Sequence, residues 1–129
     1  MKHFPQTREN NCGQTCVAII GQRPIEEIEK LMGKRGLTNG SDVRHALGRL
    51  GWTVTGARRD RLWPVVQHAV LKVKGEERVG HFVVKRRNWI FDPAFGRAIG
   101  LRKWLELLAT RDGGWRVTSY LKISGRQRG

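Results

Sequence analysis

Apolar positions recur at helical spacing up to residue 50 and at the shorter spacing of strands beyond it. The stretch CGQTCVAII, residues 12–20, becomes increasingly apolar and stops at Gly21, the residue type that ends many helices; it predicts a short, mostly buried helix opening at Cys12. Pro24 suits the first turn of a second helix, and Glu26 and Glu27 suit the positive end of its dipole. Ile25, Ile28, Leu31 and Met32 then share one face. A third helix is expected over Asp42 to Leu50, with Val43, Ala46, Leu47 and Leu50 facing inward, Ser41 or Asn39 as cap and Gly51 as stop.

Past Gly51 the chain breaks into short β-branched and aromatic runs bounded by glycine, proline or charge. Strands are expected at Trp52–Thr55, from Val65-Val66 through Val73, at His81–Val84 and at Asn88–Phe91, with Arg86-Arg87-Asn88 as a tight hairpin turn. A further helix over Leu101 to Ala109 precedes a last strand, Trp115 to Ile123. Helices first and strands afterwards give an α+β fold, N-terminal helices packed on a C-terminal antiparallel sheet.

Length and composition narrow this picture. A chain of 129 residues, 39% hydrophobic and 28% charged with five tryptophans, is expected to be one folded domain, residues 1–124, followed by a basic tail, 125–129. No run approaches the ~18 apolar residues of a membrane span, and MKHFPQTREN lacks the apolar core of a signal peptide, so the expected location is the cytoplasm. The two cysteines, Cys12 and Cys16, are too few for a disulfide framework, and a zinc site would need two more ligands from elsewhere. No metal or organic cofactor is expected. The net charge of +14 draws nucleic acid, anionic membrane or an acidic protein, but the cations fall in short clusters such as Arg58-Arg59 and Lys85-Arg86-Arg87 instead of one stripe. The tryptophans Trp52, Trp63, Trp89, Trp104 and Trp115 sit in apolar segments, as core and groove-wall residues do, and not as a base-stacking platform.

The chemistry gathers on Cys12. A free thiol is mostly protonated at neutral pH, and a nucleophile needs the thiolate, which a helix N-terminus and an imidazole both favour. Cys12 has the first; His81, opening the run GHFVV, is the candidate for the second. Asp92, at the end of NWIFDP, would lie beside it across a hairpin and orient its ring through one nitrogen, leaving the other for the thiol. The side-chain amide of Gln6 and the backbone N–H of Cys12 are the natural oxyanion donors. Cys16, one turn deeper, reads as core, and His3, His45 and His68 as surface or structural histidines.

The order Gln6, Cys12-Gly13, His81, Asp92-Pro93, with the segments CGQTCVAII, GLTNGSDVRHALGRLGW, GHFVV, FDPAFGR and LRKWLELL, resembles the papain-like cysteine peptidases. Within them it is most similar to the bacteriocin-processing, double-glycine peptidases; Asn11 stands where that family tends to carry an acid. The resemblance implies a papain-like fold and a thiol peptidase needing no cofactor. In it Gln6 completes the oxyanion hole, Cys12 attacks the peptide carbonyl, His81 is base and then acid, and Asp92 orients it. The expected partner is a peptide or protein substrate, cut after a double-glycine or similar small-residue motif. Two alternatives stay open: an idle peptidase fold that binds nucleic acid or an acidic protein through its basic surface, and a phage or effector protease or isopeptidase acting on a host protein. Deamidation and acyl transfer share the same acyl-enzyme.

Overall fold

In the computed structural model, which describes residues 1–76 and 80–126, helix α1 (Cys12–Gly21) is buried from Cys12 to Ile20. It is wedged between α2 (Ile25–Met32), α3 (Gly40–Arg49) and the sheet, which is why so short a helix is apolar around most of its girth. Its stop differs from expectation: Gly21 is still helical, and Gln22 takes the left-handed cap at φ 52°. Gln22 offsets that strained conformation by donating its side-chain amide to the carbonyls of Ile19 and Lys2. Gly21 is small for another reason, since a Cβ there would come within 2.9 Å of Leu50 Cδ1 at the end of α3. Asn39, not Ser41, caps α3: its side chain accepts from the N–H of Asp42, whose carboxylate accepts in return from the N–H of Asn39, so the helix begins before Asp42.

The strands β1 (Trp52–Val54), β2 (His68–Lys74), β3 (His81–Arg86), β4 (Trp89–Phe91), β5 (Ile99–Gly100) and β6 (Arg116–Arg126) form one antiparallel sheet in the order β1-β6-β2-β3-β4-β5. The last helix, α4 (Leu101–Thr110), follows β5 directly. The expected strand start at Val65-Val66 is overturned: Trp63–Val65 is a 3-10 turn, and β2 begins at His68. Pro64 has no N–H to give to a ladder but fits the first turn of a helix. The expected tail is also shortened, because β6 carries Gly125 and Arg126 alongside β1; residues 127–129 lie outside the described residues.

Alternation along the central strands divides the core in two. Val70, Phe82, Val84, Leu121 and Ile123 pack beneath α1, α2 and α3. Ala69, Leu71, Val73, Val83 and Ile90 pack on the opposite face with Trp104 of α4. A sheet covered on both faces explains why β2 and β3 read as nearly continuous apolar runs. Each fully buried Val, Leu or Ile contributes ~1.5–3 kcal/mol of burial to holding the layers together. Trp104 is core, as expected; Trp89 is not, being 54% exposed on β4. The architecture is α+β, and among the described residues no helix is long and apolar enough to cross a membrane.

Candidate active site

Cys12 is the first residue of α1, and the residue before it does not cap the helix. The Asn11 side-chain amide donates instead to Thr7 Oγ1, while the backbone carbonyl of Asn11 accepts from Thr15 Oγ1 at 2.8 Å, pinning the Gln6–Asn11 loop to the helix. Without a side-chain cap the first amides of α1 keep their positive end for the sulfur. The glycine after the cysteine is sterically required: a Cβ on Gly13 would overlap Thr38 Oγ1.

The hairpin brings the imidazole and carboxylate together. β3 packs against α1, and only Arg87 and Asn88 separate β3 from β4, with Arg87 in the left-handed region at φ 53°. This two-residue turn is what lets an interval of 11 residues bring His81 back to Asp92, with Nε2 2.6 Å from Oδ1. The carboxylate is itself held: Oδ1 accepts from the N–H of Ala94 at 2.9 Å and Oδ2 from the indole N–H of Trp104 at 3.2 Å. Nδ1 of His81 is the ring nitrogen left for Cys12.

The electrostatics follow from that geometry. Burial pushes the Cys12 thiol up, but the hydrogen bond and charge of His81, with the N–H groups of Phe82 and Gly13, outweigh it, and the thiol ends below its ordinary value. Burial likewise opposes charging His81, yet Asp92 and Cys12 prevail and its pKa rises to about 9. For Asp92, burial is outweighed by the hydrogen bond and charge of His81 and by the Ala94 and Trp104 donors, so it stays ionised. The three side chains thus stand in line, with the thiol shifted toward the thiolate, the imidazole toward the imidazolium and Asp92 ionised. Cys16, wholly buried one turn on, goes the other way, pushed up by burial first and by the charges of Cys12 and Asp92 next.

Cys12 and His81 open onto a cleft of about 360 Å³ whose walls include Gln6, Leu37, Gly80, Arg111 and Trp115. Only 9% of Cys12 is exposed, so the sulfur is reached through this cleft. Gln6 is tied to the strand end behind the histidine by its backbone N–H, which donates to the Pro93 carbonyl at 2.8 Å. Its side chain is turned onto its own loop, Nε2 donating to the Arg8 carbonyl at 3.1 Å. An amide nitrogen carries two hydrogens, and the second is free of that bond.

All four residues singled out in the sequence therefore meet: Gln6, Cys12 and His81 on the cleft and Asp92 behind the imidazole. Two partners escaped the sequence reading. Trp104 was legible as core, and a buried indole N–H needs an acceptor, but nothing in the sequence names Asp92 as that acceptor. Arg111, its guanidinium stacked 3.7 Å from the ring centre of Trp115, forms one wall of the cleft. Among the described residues no group of three or more His, Cys, Asp or Glu side chains is gathered to hold a metal ion. No protein-family model matches the chain, and no curated protein matches it.

Proposed function

We propose that this chain is a papain-like thiol hydrolase, similar to the bacteriocin-processing double-glycine peptidases, that cleaves a peptide through an acyl-enzyme on Cys12. One observation carries the reading: an imidazole clamped by a buried carboxylate at 2.6 Å meets a cysteine at a helix N-terminus that opens onto a cleft, and lowers the pKa of its thiol. A structural cysteine has no use for that arrangement.

The thiolate of Cys12 attacks the substrate carbonyl carbon, forming the C–S bond and moving the carbonyl electrons onto oxygen. The backbone N–H of Cys12 and the free hydrogen of Gln6 Nε2 receive that oxyanion. As it collapses, the C–N bond breaks and His81 gives its proton to the leaving amine. Water, deprotonated by the now neutral His81, attacks the thioester, and loss of the thiolate releases the acid and restores the imidazolium. Asp92, held by Ala94 and Trp104, keeps the ring in position through both half-reactions.

The test is intact-mass and peptide-mapping analysis after exposure to an epoxysuccinyl inhibitor at neutral pH. Labelling of Cys12 but not Cys16, lost in His81→Ala, is the expected outcome. An unlabelled Cys12 in folded protein would sink the proposal.

A further inference from the structure

On the far side of Phe82 from the thiol lies a second hollow of about 360 Å³, between the start of α3 and the sheet. Its rim carries Arg44, Arg59 and Lys72, and its walls include the hydroxyl residues Ser41 and Ser119. Among the described residues none of the three cations has a carboxylate within ion-pair distance, whereas Arg8, Arg23, Lys34 and Lys103 do. Asp42, on the first turn of α3, is engaged by Lys34 at 2.9 Å and by the N–H of Asn39. The opening turn of α3, Gly40 and Ser41, lines this hollow, but its N-terminus is already closed by the Asn39–Asp42 capping box, so the positive charge of the hollow comes from the three side chains. The floor is apolar, formed by Val70, Phe82 and Leu121.

Residues of this hollow touch residues of the thiol cleft at two points. Phe82 lines the hollow, and the N–H of Phe82 is one of the donors to the Cys12 sulfur. Gly80 lines the cleft on the other side, and Lys72 lies against it so closely that a Cβ on Gly80 would come within 2.9 Å of Lys72 Cε. The ammonium of Lys72 stands 5.8 Å from the centre of the Phe82 ring. An extended peptide crossing the sulfur therefore has a cationic recess next to it, separated by one aromatic side chain and one glycine.

We propose that this recess is a substrate subsite for acidic side chains, so that the enzyme selects peptides carrying Asp or Glu to one side of the bond it cuts. The inference rests on the thiol-hydrolase reading. A carboxylate with its methylene stem matches charged rim and apolar floor together. A nucleic-acid backbone calls for a continuous cationic track, and these cations close around one recess beside the thiol.

Binding is measured by fluorescence polarisation on Cys12→Ala, where turnover is removed, with a labelled Glu-containing peptide and its Gln counterpart at physiological salt. The Glu peptide is expected to bind at least about tenfold more tightly, and Arg44→Ala/Arg59→Ala should abolish the difference. Arg44→Lys/Arg59→Lys should restore part of it; thermal melting and the rate of Cys12 alkylation in the wild-type background report whether each double variant keeps its fold. With the intact thiol, kcat/KM should show the same Glu preference. Equal binding of the two peptides, or discrimination that survives the double alanine change, overturns the subsite. So does a single-stranded oligonucleotide of equal charge held more tightly than the Glu peptide, which assigns the recess to nucleic acid. Cleavage without acid preference defeats this inference alone. Discrimination without thiol labelling or turnover defeats the peptidase reading and, with it, the subsite, leaving an anion site.

Discussion

The two ends of the β2–β3 ladder each carry a histidine, and the surroundings drive the two in opposite directions. His68 pairs with Arg86 at one end, and His81 lies opposite Val73 at the other. Both rings are partly buried, and burial works against protonation in both. At His68 nothing opposes it: the ring stands edge-on to Trp52, the charge of Arg86 adds to the effect, and the pKa falls to about 4. At His81 the carboxylate of Asp92 and the thiolate of Cys12 reverse it, and the pKa rises to about 9. Residue type and strand position are nearly the same; the difference is which charges the neighbouring elements deliver.

The sharpest way to break the comparison is to take the carboxylate away. In Asp92→Asn the His81 ring should titrate well below about 9, and kcat/KM at pH 8 for the proposed peptide hydrolysis should fall by about 100-fold or more. NMR titration of the ring and a pH–rate profile check both, with the alkaline limb moving downward from near 9. Stability carries the same signature. Because the folded pKa of His81 lies above its ordinary 6.5, the protonated ring's contribution is complete below about 6.5 and is lost as pH climbs through about 9. Cys12, whose thiol pKa is lowered, works in the opposite sense, so the His81 component is read from the melting-temperature gap between wild type and Asp92→Asn, which should narrow as pH climbs through that window.

A smaller effect is expected from Trp104→Phe, which keeps the ring in the core and deletes the N–H that Asp92 Oδ2 accepts. Losing one hydrogen bond to a charged group costs roughly 1.5–3 kcal/mol where it is fully buried. At a carboxylate that keeps its Ala94 donor we expect about a 5-fold loss in kcat/KM and a slight rise in the Asp92 pKa, read from carboxyl NMR. The smallest change should come at the other end: in Arg86→Gln, His68 should stay well below 6.5, because burial outranks the Arg86 charge as the cause of its shift. A His68 that returned to its ordinary value would show that charge, not burial, governs that end as well.

The parts of the fold legible beforehand were those written in local pattern. The helix spacing of α1, α2 and α3, the turn expected at Arg86-Arg87-Asn88, of which Arg86 proves to end β3, and the apolar runs of β2 and β3 are properties of a few consecutive residues. What escaped depends on contacts distant in sequence. β5 is two residues long and has no periodicity to read. The 3-10 turn at Trp63–Val65 uses a valine that would suit a strand. Lys85 is only 1% exposed, its ammonium donating to the Val66 carbonyl, though a charged residue near a strand end reads as solvent-facing. The candidate site divides the same way, since residue types and order marked Cys12, His81, Asp92 and Gln6, while nothing in them announced Trp104 or the inward turn of the Gln6 amide.

Sequence alone determined the α+β class and the placing of a cysteine, followed by a glycine, at the first residue of an apolar helix. Each rests on periodicity or on residue type, which act over one or two turns of chain. Tertiary structure decided the charge states, because Cys12 and Cys16 sit in one helix with the same chemistry and end on opposite sides of the ordinary thiol value. Electrostatic energy depends on distance in space and on burial, and neither is a property of the chain until it has folded.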